Sequence, residues 1–292
     1  MEPPVTTPRL LKTPDEVRWF ANDLRRRGQT LALVPTMGFL HDGHLSLMRE
    51  GRARCDVVAA TIFVNPTQFG PTEDLSRYPR DLSGDLAKCG AAGATVVYSP
   101  EPSTVYPQGF QTYVTVEQVS QGLCGDRRPG HFRGVATVVT KLLALFRPDV
   151  ALFGEKDYQQ LQVIKALGRD LELGVEIVGM PTIREADGLA MSSRNTYLSA
   201  DDRVRALSLS KGLFAMQAAA KAGEADVAKL VALGLAPLTA AQVKLDYLEV
   251  RDATTLEPLT TLTKEKPGRA LVAAFLGTTR LIDNVALTLA GG

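Results

Sequence analysis

Two of the chain's three histidines stand three residues apart, in the stretch Pro35-Thr36-Met37-Gly38-Phe39-Leu40-His41-Asp42-Gly43-His44. The stretch joins an apolar run, Leu31-Ala32-Leu33-Val34, to a segment with helical patterning from about His44 to Arg54. Backbone N–H groups at a helix start are unpaired and point outward, and the helix dipole favours an anion there. Gly43 lets the main chain come close to a ligand. Two imidazoles beside such a turn can donate hydrogen bonds to phosphate oxygens, or offset charge as pyrophosphate leaves. Two other readings fit the same spacing. His-x-x-His can be half of a metal site, although zinc wants a third or fourth ligand and no nearby Cys or His supplies one. Both rings can also be core histidines satisfied by hydrogen bonds.

Three further polar clusters carry chemistry. Gly154-Glu155-Lys156-Asp157 follows the apolar run Val150 to Phe153. Lys156 can meet phosphate as a point charge and Asp157 can hold a ribose hydroxyl; a solvated helix cap is the plainer reading. In the stretch from Ile183 to Asn195, Ser192, Ser193, Arg194 and Asn195 put two hydroxyls, a guanidinium and an amide in four residues, enough to wrap a triphosphate. Gly188 permits a hinge, so this loop can close over a nucleotide and exclude water; a serine-rich helix cap is the alternative. Asn65-Pro66-Thr67-Gln68-Phe69 ends a second apolar run. There Gln68 can hydrogen-bond a small polar substrate, as can one of Gln159 and Gln160, although a lone glutamine is as readily structural.

Several standard signatures are missing. No G-x-G triplet exists, so the dinucleotide fingerprint is absent. Gly125 and Gly130 have the spacing of a P-loop, but His131 stands where its lysine belongs. There is no G-x-S-x-G elbow. The cysteines are not paired with a histidine in sequence. Direct transfer between bound substrates is therefore favoured over a covalent enzyme intermediate.

These clusters need a scaffold. Thr13-Pro14-Asp15-Glu16 reads as a capping box with proline at the first helical position, opening a helix that ends at Gly28. Strands are expected at 31–34, 57–64, 94–98, 150–153 and 175–178. Helices are expected at 44–54, 79–90, 135–146 and 158–171. The strands read as continuous apolar runs, which points to a parallel sheet covered on both faces, with ligands at the strands' carboxyl ends. After about residue 180 the pattern changes to helices at 200–222 and 225–233. An alternating run through Val243, Leu245 and Tyr247 follows, and then a hairpin of 269–276 and 280–287. That order suggests a smaller α+β domain, giving domains at 1–180 and 181–292.

Bulk properties exclude other classes. The 292 residues suit one large domain or two, with 45% hydrophobic and 22% charged residues, an ordinary globular balance. A net charge of +1 gives no general attraction to nucleic acid or an anionic membrane. Cys55, Cys89 and Cys124 form no C-x-x-C pair, which fits buried thiols in a reducing compartment. The start, Met-Glu-Pro-Pro, lacks the features of a signal peptide, and no run of 18 apolar residues occurs. The expected location is cytoplasmic.

Five segments in order, PTMGFLHDGH, FVNPTQFGPTEDLSRYPR, LCGDRRPGHFRGVATVVTKLLALFRPD, FGEKDYQQLQVIKAL and PTIREADGLAMSSRNTYLS, resemble the pantothenate synthetase family, and the likeness continues into DYLEVRDATTLEPL. The resemblance implies an α/β fold: a Rossmann-like nucleotidylyltransferase sheet with a smaller α+β C-terminal domain acting as a lid, in a homodimer. It implies ATP-dependent condensation of pantoate with β-alanine through a pantoyl-adenylate, with Mg2+, releasing AMP and pyrophosphate. The implied ATP contacts are Met37, Gly38, Phe39, Leu40, His41, Asp42, Gly43 and His44, with Gly154, Glu155, Lys156, Asp157, Ile183, Met191, Ser192, Ser193 and Arg194. His44 would be the proton donor, while His41, Lys156 and Arg194 offset charge. Gln68 would touch both pantoate and β-alanine. Gln160 and Asn65 would hold pantoate, and Asp85 is a candidate magnesium contact. Thr72 departs from the family, which often has Asn there. The H-x-G-H element is shared with nucleotidylyltransferases and class I aminoacyl-tRNA synthetases, so a nucleotidylyltransferase acting on another small acceptor is the rival reading.

Overall fold

The computed structural model describes residues 7–71 and 73–289. Thr72 and the Met-Glu-Pro-Pro start lie outside the described residues. The chain divides into two compact units: Met1–Glu155 with Val163–Pro181, and Lys156–Gln162 with Thr182–Gly292.

The first unit is built on six parallel strands: β1 (Arg9–Leu11), β2 (Leu31–Thr36), β3 (Val57–Ile62), β4 (Val96–Tyr98), β5 (Val150–Gly154) and β6 (Glu176–Met180), in the order β1-β4-β3-β2-β5-β6. Its helices are α1 (Pro14–Arg26), α2 (Asp42–Arg54), α3 (Leu82–Ala91), the short α4 (Pro102–Val105) and α5 (Leu123–Arg127), and α6 (His131–Phe146). Helix α7 (Tyr158–Asp170) contributes its later turns to this unit. The capping box forms as expected: Glu16 N donates to Thr13 Oγ1 and Thr13 N to Glu16 Oε2. Val17, Phe20, Ala21 and Leu24 are buried, the spacing of one helical face. The central strands are apolar throughout because helices cover both of their faces; Ala32, Leu33, Val34, Val58, Ala59, Ala60, Ala151 and Leu152 are all buried.

The strand order fixes where a ligand fits. From β2 the chain steps outward through β3 and β4, then returns to the other side of β2 for β5 and β6. The order reverses between β2 and β5, and ligands of open α/β sheets sit outside the carboxyl ends of the strands at such a switch. Here β2 and β5 pair only through Ala32 with Val150 and Leu33 with Ala151, leaving their carboxyl-terminal halves unpaired with each other.

The second unit packs α8 (Ala200–Lys221) and α9 (Val227–Ala240) with an antiparallel sheet of β7 (Lys244–Asp252), β8 (Gly268–Leu276) and β9 (Thr279–Leu287). Its core includes Leu209, Leu213, Met216, Leu230, Leu248, Val272 and Leu287. The expected hairpin pairs Leu276 with Thr279 across its tip.

Several boundaries differ from the sequence reading, and β1, α4 and α5 were not anticipated. The strand β1 has three residues and no periodicity to read; only its pairing of Arg9 to Leu11 with Val96 to Tyr98 defines it. Helix α6 begins four residues earlier than expected, directly after Gly130 in a left-handed conformation. Helix α9 runs to Ala240 rather than 233, through Pro237. An interior proline costs about 3 kcal/mol. Leu230, Gly234 and Leu238 are nevertheless buried at helical spacing, and continued burial of that face offsets the lost bond. All three cysteines are buried thiols. No helix among the described residues is long and apolar enough to cross a membrane.

Candidate active site

The turn after β2 is held from within. Thr36 Oγ1 donates to Thr61 O on β3 at 2.6 Å and accepts from Gly38 N at 3.2 Å. Gly38 and Phe39 follow with φ of +84° and +51°. Glycine is required at 38, since a Cβ there would stand 2.9 Å from Ile62 Cγ2 and 3.0 Å from Asp85 Oδ2. Phe39 N and Leu40 N each donate to one oxygen of the buried Asp85 carboxylate, both at 2.7 Å. Helix α2 then opens with the two histidines as its cap: Gly43 N donates to His41 Nδ1 at 3.2 Å and His41 N to His44 Nδ1 at 3.3 Å. The ring centroids are 4.1 Å apart.

This geometry changes how the turn can act. Sequence reasoning offered both open backbone N–H groups and the two imidazoles as donors to an anion. The backbone N–H groups of Gly38, His41, Gly43 and His44 bond within the turn instead, and those of Phe39 and Leu40 bond Asp85 on α3. Each Nδ1 accepts a hydrogen bond, so a neutral ring carries its proton on Nε2. Neither ring is buried, unlike a core histidine. Among the described residues no group of three or more His, Cys, Asp or Glu side chains could hold a metal ion. Asp85, the candidate magnesium contact, spends both oxygens on the turn. Leu40 buries its side chain in the core and its N–H on Asp85, while Met37 and Phe39 are half-buried.

Beside the turn, after β3, Gln68 Nε2 lies 3.1 Å from Met37 Sδ, and Gln68 Oε1 accepts from Asn65 Nδ2 at 3.1 Å. Asn65 is buried and saturated. Its amide also donates to Gly134 O, and its oxygen accepts from Thr67 Oγ1 and, at 2.7 Å, from Tyr106 OH. Asn65 therefore holds Gln68. Burial pushes the Tyr106 hydroxyl's pKa up, against the lowering effect of its bonds to Thr67 and Asn65. Gly134 lets α6 touch this segment: a Cβ there would stand 2.4 Å from Thr67 O.

A support for Gln68 went unseen in the sequence, where His131 was only a misplaced P-loop residue. His131 Nδ1 is 2.9 Å from Gln68 O, and its Nε2 is 3.0 Å from Arg128 Nη1. A carbonyl only accepts and a guanidinium only donates, so these two contacts match the tautomer with its proton on Nδ1. Arg128 in turn forks onto Glu73, with bonds of 2.8 and 2.6 Å. Burial raises the Glu73 pKa, but Arg128, with His131 and a backbone bond from Gly70, outweighs it and leaves the carboxyl below its ordinary value.

Gly154 ends β5 and Glu155 directly follows it, next to β2 in the sheet and thus at the switch point. The second unit carries the rest. Lys156 Nζ lies 3.7 Å from Asp157 Oδ2. The segment is pinned within its unit: Asn284 Nδ2 donates to Lys156 O at 2.8 Å, and Tyr158 OH to Ala253 O at 2.7 Å. Of the two candidate glutamines, Gln159 is buried and Gln160 half-buried, which favours Gln160 for a ligand. The loop from Ile183 to Met191 doubles back on itself, with Met191 N donating to Ile183 O and Gly188 at φ +94°. Arg184 anchors it by a fork onto the buried Asp283, at 2.6 and 2.9 Å. Ser192 Oγ caps the short turn Ser193–Tyr197 by accepting from Arg194 N. Ser193 is buried, and Met191 and Arg194 are half-buried. Asn195, read as a triphosphate contact, instead donates to Glu185 Oε1 and Ala190 O, closing the loop.

Comparison with known proteins identifies the family. The family model for pantoate-beta-alanine ligase matches residues 9–286. The chain is 65% identical to a pantothenate synthetase of Myxococcus xanthus over 96% of each chain. It is 56% identical to that of Anaeromyxobacter dehalogenans, covering 95% of this chain and 98% of the other. The crystal structure of pantothenate synthetase from Thermus thermophilus superposes with a TM-score of 0.90 at 44% identity, covering 96% of this chain and 99% of that one. The Francisella tularensis pantoate-beta-alanine ligase, complexed with beta-gamma ATP and beta-alanine, gives 0.79 at 32% identity, covering 95% and 97%. A match spanning nearly the whole chain, in sequence and in fold, places this protein in the pantoate–β-alanine ligase family.

Proposed function

We propose that the protein condenses pantoate with β-alanine at the expense of ATP, through a pantoyl-adenylate. The observation that carries the reading is the histidine-capped turn after β2, at the sheet's switch point, beside a Gln68 held by Asn65. In the first step a pantoate carboxylate oxygen attacks the α-phosphorus, and the bond to the bridging oxygen breaks to release pyrophosphate. His41 and His44 offer Nε2–H donors to the developing charge, with His44 as the proton donor. The family resemblance gives Gly154, Glu155, Lys156, Asp157, Ile183, Met191, Ser192, Ser193 and Arg194 as further ATP contacts; Lys156 and Arg194 would offset phosphate charge, and by its chemistry Asp157 can hold a ribose hydroxyl. Gln68 and Gln160 orient pantoate, and Asn65 acts by fixing Gln68.

In the second step the neutral amine of β-alanine attacks the acyl carbonyl. The amine gives up a proton, and AMP leaves with the electrons of the acyl–phosphate bond. Alignment of bound reactants supplies up to about 7–11 kcal/mol of such a barrier lowering. Any Mg2+ would offset charge on the departing pyrophosphate, as the resemblance implies; Asp85 is a poor ligand for it, because each of its oxygens already accepts a backbone N–H. No step here depends on the ion.

We assign the protein to the cytoplasm and to a homodimer, which light scattering would show at twice the 31.5 kDa of one chain. AMP release measured with pantoate, with and without β-alanine, tests the function. Pantoate-dependent pyrophosphate release is expected, and pantothenate only when β-alanine is added. Turnover with nicotinamide mononucleotide in place of pantoate would instead indicate a nucleotidylyltransferase.

A further inference from the structure

A cavity of about 480 Å3 opens among α1, β4, α4 and α6, away from the histidine turn. That volume lies within the range of small-ligand pockets, about 300–1,000 Å3. Its floor is apolar, with Phe63, Val105, Val138 and Leu142 all buried. Three cations, Arg18, Lys141 and Arg147, also line it, and none of the residues lining it is acidic. Arg18 pairs with Asp15, and Arg147 bonds the Asn22 amide oxygen. Lys141 differs from both. Its half-buried ammonium meets no carboxylate among the described residues, and its neighbours are the faces of Phe110 at 4.5 Å and Tyr106 at 5.7 Å. Burial pushes its pKa down, with no charged neighbour contributing. The buried Tyr98 hydroxyl, pushed up to about 12 by burial, stays a neutral donor on the same wall.

A half-buried cation that lines an apolar cavity and meets no carboxylate among the described residues suits one class of ligand. We propose that this cavity is a second binding site, for a small amphipathic anion: an acid group for Lys141, joined to an aromatic or branched aliphatic body for the floor. The body distinguishes this ligand from inorganic phosphate, which would leave the floor uncovered. The acid group distinguishes it from a neutral apolar molecule, which would leave the half-buried ammonium without a counter-charge. The site borders the substrate-side turn, because Tyr106, beneath the Lys141 ammonium, donates to Asn65.

Titration of the full chain with 8-anilinonaphthalene-1-sulfonate, followed by fluorescence, tests the proposal. One saturable site per chain is expected, unmoved by saturating ATP and pantoate. Lys141→Met keeps the stem and removes the charge. It should weaken the probe about tenfold or more, the scale of one charge-assisted contact. Thr104→Trp fills the cavity from its rim and should abolish binding, with circular dichroism confirming that both variants fold. Four results would each overturn the proposal: no saturable binding, unchanged affinity in Lys141→Met or in Thr104→Trp, displacement of the probe by ATP, or a signal that appears only when the oligomeric state changes.

Discussion

Replacing Asp85 by alanine separates two roles for one carboxylate. The side chain is 1% exposed and accepts Phe39 N and Leu40 N, one on each oxygen, at 2.7 Å. A hydrogen bond to a charged group is worth about 1.5–3 kcal/mol net, so the pair amounts to about 3–6 kcal/mol. Phe39 is half-buried and water can recover part of its bond; Leu40 is buried and gets no such relief. Phe39 also sits at φ +51°, a conformation costing roughly 1–2 kcal/mol that the carboxylate holds in place. We therefore expect Asp85→Ala to lose about 3–4 kcal/mol of unfolding free energy. Urea denaturation without nucleotide or magnesium, with an unchanged m-value, reads this directly. AMP release should fall as well, because the histidine cap rides on the same turn, and added Mg2+ should not restore it. A variant within about 0.5 kcal/mol of the parent, whose activity returns on raising Mg2+, would refute the turn-holding role and make Asp85 a metal contact.

Other outcomes follow from the same geometry. His44→Ala and Lys156→Ala should each cut turnover at least ~100-fold, the loss expected for one preorganised donor, with the far-ultraviolet spectrum unchanged. Near-normal rates would remove those assignments. Gly134→Ala drives a Cβ to 2.4 Å from Thr67 O, a contact with main chain that cannot swing aside. It should cost about 1–3 kcal/mol and raise the KM for pantoate; a KM like the parent's would show that the Asn65–Gln68 segment does not position the acid. Glu73 has a lowered folded pKa, so its stabilisation is present above the unfolded value of 4.5 and is lost as pH falls through the folded value. Glu73→Gln should lose stability at pH 7 and show a shallower acid limb in a pH series of denaturation midpoints. Parallel curves for parent and variant would count against the Glu73–Arg128 pair.

The sequence by itself determined the elements and their class. Apolar runs such as Leu31 to Val34 and Val150 to Phe153 are long enough, and uniform enough, to announce buried parallel strands. The Thr13–Glu16 box is a local motif that forms as written. Five ordered segments carried the family, because side-chain types that meet a ligand leave a mark wherever the chain folds. Tertiary structure decided which groups are available. The histidine turn was legible as a candidate phosphate site, yet only the fold showed that Asp85, 46 residues away, takes the Phe39 N–H and that the rings cap their own helix. His131 looked like a misplaced P-loop residue until α6 brought it under Gln68, 63 residues distant. Asn195 looked exposed to a ligand until Glu185 claimed its amide. Hydrogen-bond partners are settled by spatial neighbours across the chain. Periodicity reports only whether a residue faces the core, and that is why the scaffold was readable and the division of labour among its polar groups was not.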